Sequence, residues 1–78
     1  MPTIHREGPY RFMFYASDWN EPPHVHVIRD RLDAKFWLTP VRLQSSGGFR
    51  PVEINRITRI IEEQQEQFLE AWNDHFAS

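Results

Sequence analysis

The 78-residue chain contains no cysteine. Disulfides and thiolate metal sites are therefore excluded as sources of stability. It also lacks any long apolar run; its apolar stretches are a few residues, far short of the ~20 that a spanning helix needs. The opening Met1-Pro2-Thr3-Ile4-His5-Arg6 has no apolar stretch of secretory type. A cytoplasmic protein with no membrane contact is expected. Glycine is scarce, with three residues, and two of them stand together at Gly47-Gly48. Lysine is scarcer: Lys35 is the one lysine among nine basic residues, and the rest are arginine. Arginine suits planar, bidentate contact with phosphate or carboxylate.

What is present compensates in part. Aromatic residues make up 14% of the chain, with six Phe and three Trp. A chain this short buries only ~60% of the surface its unfolded form exposes, so aromatic packing, a partner or self-association must supply stability. The net charge of −2 hides an asymmetry. Residues 1–60 carry every basic residue and a net +3, whereas 61–78 carry Glu62, Glu63, Glu66, Glu70 and Asp74 with no base. The body is mildly basic and the tail acidic.

There is no internal repeat. One domain over 1–78 is expected, with a strand part at about 10–43 and a helical part at about 51–76. Arg11 to Ser17 alternates, with Phe12, Phe14 and Ala16 on one side. Asp18 to Pro23 interrupts it, because paired prolines cannot donate to a ladder. His24 to Ile28 reads as a second strand, Ala34 to Leu38 as a third, and Val41 to Leu43 as a short fourth. A four-residue loop at Asp30–Asp33 would set Val27 opposite Phe36 and His26 opposite Trp37.

The helical part opens with Pro51 at the first helical position and Glu53 in the first turn. Ile54, Ile57, Ile61, Phe68, Trp72 and Phe76 recur at three- and four-residue steps, which is an amphipathic stripe. Unbroken, this helix would be ~40 Å long, more than the body it must cover. The polar run Glu62 to Gln67 predicts either a break near Gln65 or one long helix that projects. The class is α+β: a small antiparallel sheet of three to four strands followed by a C-terminal amphipathic helix.

One helical layer covers one sheet face. Phe12, Phe14, Val25, Val27, Phe36 and Leu38 mark that face, leaving Arg11, Met13, Tyr15, His24, His26, Ile28, Lys35 and Trp37 on the other. A face mixing indole, phenol, imidazole and cations is expected to be an interaction surface, or to be buried in a homodimer. Its sharpest feature is Pro22-Pro23-His24-Val25-His26-Val27. Histidines two apart on a strand point the same way, with Cα atoms roughly 6.5–7 Å apart. They could bind a transition metal such as zinc, given a third ligand from His5, Asp18, Glu21 or His75. They could serve as an acid/base pair, or they could be structural. No cofactor is otherwise called for.

Several pieces together carry a family likeness: Met1-Pro2-Thr3-Ile4, the Pro22 to Val27 run, Ala34-Lys35-Phe36-Trp37-Leu38, Gly47-Gly48-Phe49, and Leu69-Glu70-Ala71-Trp72-Asn73-Asp74-His75-Phe76. In this order, over nearly the whole chain, they resemble the small bacterial domain-of-unknown-function family 4160. The family tends to have a serine or similar capping residue where this chain has Arg50. The resemblance implies a neighbouring gene for a second small protein, DUF2442-like, in a toxin–antitoxin-like pair. A protein partner follows as an expectation, with Trp72 and Phe76 of the acidic helix as possible anchors in a basic groove.

A weaker likeness concerns element order alone. A strand histidine, a hairpin, Pro40-Val41 and a helix are also the order of HicA-like mRNA-cleaving toxins. That likeness implies His24 or His26 as acid/base, Arg11, Arg29, Lys35 or Arg42 against phosphate charge, and Tyr15, Trp19 and Trp37 stacking bases. The residues leave enzyme and non-enzyme open.

Overall fold

The computed structural model describes residues 3–76. Met1 and Pro2, part of the family-like opening, lie outside them. Five strands form one antiparallel meander, each paired with its sequence neighbours: β1 (Thr3–Glu7), β2 (Tyr10–Met13), β3 (His24–Arg29), β4 (Leu32–Leu38) and β5 (Val41–Ser45). Two helices follow, α1 (Pro51–Glu63) and α2 (Gln65–Phe76). The α+β class is as expected, with one strand more at the N-terminal edge. Among the described residues no helix is long and apolar enough to cross a membrane.

The β3–β4 register differs from the expectation by two residues. Val25 lies opposite Phe36 and Val27 opposite Ala34, while His24 faces Trp37 and His26 faces Lys35. The cause is the turn. It is two residues, Asp30-Arg31, rather than four, and Asp30 takes a left-handed φ of 55° that aspartate tolerates. Leu32 and Asp33 thereby join β4. A shift of two leaves the faces unchanged, so Phe12, Phe14, Val25, Val27, Phe36 and Leu38 all lie in the core as expected. Tyr10 and Phe49 join them.

The long first strand ends early. β2 stops at Met13, and Ala16–Asn20 forms a turn of 3₁₀ helix. Asp18 ends the strand by accepting the Tyr15 N–H on its carboxylate at 2.8 Å. This segment folds over the sheet face that the alternation left bare. Met13 and His24 are buried there, and Arg11, Tyr15, His26, Ile28, Lys35 and Trp37 are half-buried. The face expected to be uncovered is therefore closed at Met13 and His24 and half-buried elsewhere.

The helices cover the other face. Ile57, Ile60, Ile61, Phe68 and Trp72 meet the sheet's apolar side. The break falls at Gln64, and Gln65 Nε2 donates to the Leu38 carbonyl at 2.6 Å. That bond fastens the hinge to the end of β4. The molecule measures 36 Å at its longest, so an unbroken helix of ~40 Å would overhang it. α1 is held at its start by Glu53, which takes two bonds from Arg29 (2.9 and 3.1 Å) and one from Tyr10 Oη (3.1 Å). Arg50 precedes Pro51 and makes no side-chain cap, yet the helix starts where Pro51 predicted.

Two glycines make different demands. Gly8 and Gly47 both have φ near +60°, but a Cβ on Gly8 would meet open space, whereas one on Gly47 would run into the Asp33 carbonyl. Gly8→Ala should cost about 1 kcal/mol in urea unfolding, the strain of a left-handed alanine. Gly47→Ala should cost several times more. Equal losses would mean that the 46–49 loop does not press on β4 as described.

Candidate functional site

The 3₁₀ segment and β3 meet at Asp18. Its Oδ1 lies 3.1 Å from His24 Nε2, and its Oδ2 lies 3.2 Å from His26 Nε2. The two imidazoles share this carboxylate because i and i+2 on β3 point to one side. Each ring is held from behind at its other nitrogen. His24 Nδ1 bonds the Pro22 carbonyl at 2.9 Å, and His26 Nδ1 bonds Asp33 Oδ1 at 3.2 Å. Both partners accept only, so these two bonds require a proton on each Nδ1. Tyr15 stacks edge-on against His26 (4.4 Å between centroids) and donates its hydroxyl to Asp33 Oδ2 at 2.7 Å.

Burial sets the electrostatics. Desolvation pushes the Asp18 carboxyl up, but the Tyr15 N–H and the neighbouring imidazoles outweigh it and hold it below the ordinary carboxylate value. The Tyr15 phenol moves the other way, to about 12, first through its hydrogen bond to Asp33, then through burial and the Asp33 charge. His24 is wholly enclosed, at 0% exposure, with Trp72 of α2 against its ring at 5.1 Å between centroids. His26 keeps 13% of its side chain exposed.

The residues singled out in the sequence fall into three groups. Tyr15, His24 and His26 converge on Asp18 and Asp33. Of the four candidate third ligands, Asp18 is the one within reach. His5 bonds Glu7, Glu21 bonds Lys35, and His75 lies against Phe14 and Phe76. Trp37 and Arg42 instead line a shallow surface groove of about 210 Å³ with Pro22, Pro23, Thr39 and Pro40. Lys35 lies over the Trp37 ring at 4.9 Å while bonding Glu21 at 2.5 Å. Trp19 stands alone on the 3₁₀ segment, 69% exposed.

The remaining candidates serve the fold. Arg29 is taken up by Glu53 and Asp30, and Arg11 donates to the Met13 sulfur at 3.7 Å. Trp72 packs on Phe14 and His24 at 7% exposure, and Phe76 is half-buried against Trp72. Trp72 is spent on the chain's own core, and Phe76 keeps part of its ring exposed. Asp33 was missed altogether. Its role appears only once the two-residue turn puts it on β4, diagonal to His26 and on the same face.

A scan against models of protein families matches residues 10–73 to the Domain of unknown function DUF4160. The match covers most of the chain, and the chain belongs to this family. No curated protein and no solved structure matches it.

The Tyr15–Asp33 bond gives a direct check. Phenolate absorbance should place Tyr15 near pH 12, and Asp33→Asn should bring it down toward the ordinary ~10. The raised value belongs to the folded state, so the bond's contribution to stability is complete below ~10 and is lost as pH rises through about 12. A Tyr15 titration unmoved by Asp33→Asn would remove the bond from the site.

Proposed function

We propose that the chain is an interaction domain that takes an extended segment of a small protein partner along the outer side of β5, with the partner's side chains entering the Trp37 groove. The observation that carries this reading is the adjacency of an open sheet edge and an aromatic, proline-lined groove. Among the described residues β5 pairs only with β4, which leaves its outer backbone groups free there to add a strand. Residues 42–45 are exposed, and Leu43 is 40% exposed. Arg42 contributes to both edge and groove, which favours a partner segment with an acidic side chain. The opposite edge, β1, presents His5, Arg6 and Glu7 and is the less inviting side for a neutral strand.

The family likeness supplies the partner class: the product of an adjacent gene, DUF2442-like, in a toxin–antitoxin-like pair acting in the bacterial cytoplasm. The alternative of RNA cleavage by His24 and His26 draws less support. An acid/base residue must reach its substrate, and His24 has no exposed surface while His26 keeps 13% of its side chain exposed.

The test is co-purification with the neighbouring gene product, followed by calorimetry on the pair. Trp37→Ala should weaken the complex about 30-fold, the mark of a ~2 kcal/mol anchor. Arg42→Glu should weaken it as well, and His5→Ala on the far edge should leave it unchanged. Failure to form a complex, or a complex indifferent to Trp37 and Arg42, contradicts the reading. Growth arrest by this chain alone, abolished by His26→Ala, would favour RNA cleavage instead.

A further inference from the structure

We infer that Asp18, His24 and His26 form a binding site for a divalent first-row transition ion of the zinc type, independently of any partner on β5. One donor atom from each residue lies in a group whose members are all within 4.8 Å of one another. Asp18 Oδ1 is 3.1 Å from His24 Nε2 and Asp18 Oδ2 is 3.2 Å from His26 Nε2, so an ion gathered between the rings would meet the carboxylate through either or both oxygens. Two imidazoles and one carboxylate form the donor set used for such ions, whereas calcium and magnesium prefer oxygen alone.

The rings are set for coordination. With Nδ1 protonated toward Pro22 and Asp33, the lone pair of a neutral imidazole sits on Nε2, and both Nε2 atoms face Asp18. A carboxylate bonded to the far nitrogen, as Asp33 is to His26, is the usual support of a metal-bound histidine. Both Nε2 atoms are buried, and neither has a hydrogen-bond partner of acceptable direction, although Asp18 oxygens are near. Buried polar atoms without partners are rare and costly, and a cation shared by the three residues would satisfy both nitrogens at once. The charges also agree, since Asp18 and Asp33 together balance a divalent ion.

The tether has a structural consequence. Asp18 rides on the 3₁₀ segment and both histidines on β3, so one ion would clamp the segment across the sheet. The site has little solvent access, which suits a structural ion more than an open catalytic one.

The experiment uses the untagged full chain, freed of metal by chelator, near neutral pH. Zn(II) is titrated by calorimetry and Co(II) by visible absorption. One ion per chain should bind, with a rise in thermal midpoint. Asp18→Asn and His26→Gln should each weaken binding at least ~10-fold, whereas Glu21→Gln and His75→Ala should not. Circular dichroism checks that each variant folds. His26→Gln keeps a polar side chain at a part-exposed position, so it decides the matter if Asp18→Asn does not fold. No binding of either ion at micromolar concentrations overturns the inference, and so does binding that survives His26→Gln.

Discussion

The structure turns on the carboxylate of Asp18. It ends β2 by taking the Tyr15 N–H, and it sets the following 3₁₀ turn beside β3, with its oxygens next to the Nε2 atoms of His24 and His26. Without Asp18 the segment has little to hold it, because Ala16, Ser17, Trp19 and Asn20 are exposed. With it, a sheet face carrying two imidazoles and a methionine is withdrawn from water. A short chain without disulfides thus covers one end of the second sheet face, around His24 and His26, with a 3₁₀ turn instead of a further helix.

The helical layer obeys a similar economy. Gln65 reaches the Leu38 carbonyl at the place where a continuous helix would leave the sheet, and α2 turns to lay Phe68 and Trp72 on Phe12 and Phe14. Glu53 gathers Arg29 and Tyr10 at the other end. The acidic row Glu62, Glu66, Glu70 and Asp74 stays outside, as the polar side of an amphipathic helix. Trp72 joins the two sides of the molecule: it packs on Phe14 in the core and on the ring of His24.

The sheet's apolar face was legible because Phe12, Phe14, Val25, Val27, Phe36 and Leu38 keep strict alternation and all end in the core. The helix start was legible from Pro51, and the break was one of the two readings that the polar run at Glu62–Gln67 left open. The register was not, since Asp30-Arg31 lacks the Asn-Gly or Asp-Gly signature of a two-residue hairpin turn. β1 was not, since Ile4 is its one aliphatic residue, half-buried, and leaves no period to read. Asp18 was visible only as one of four equal candidates, because its choice depends on a 3₁₀ turn created by the same contact. Asp33 gave no local signal, because it meets His26 only across the hairpin. The groove at Trp37 depends on Pro22 and Pro40 coming together from separate turns, which no short stretch of sequence records.

The most direct measurement is ring-nitrogen NMR of the four histidines before and after zinc is added. The geometry predicts protons on Nδ1 of His24 and His26 in the metal-free chain. On addition of zinc, both Nε2 resonances should move together, while those of His5 and His75 stay in place. Protons found on Nε2 with bare Nδ1, or zinc-induced shifts confined to His5 and His75, would contradict an inward-facing pair gathered on Asp18.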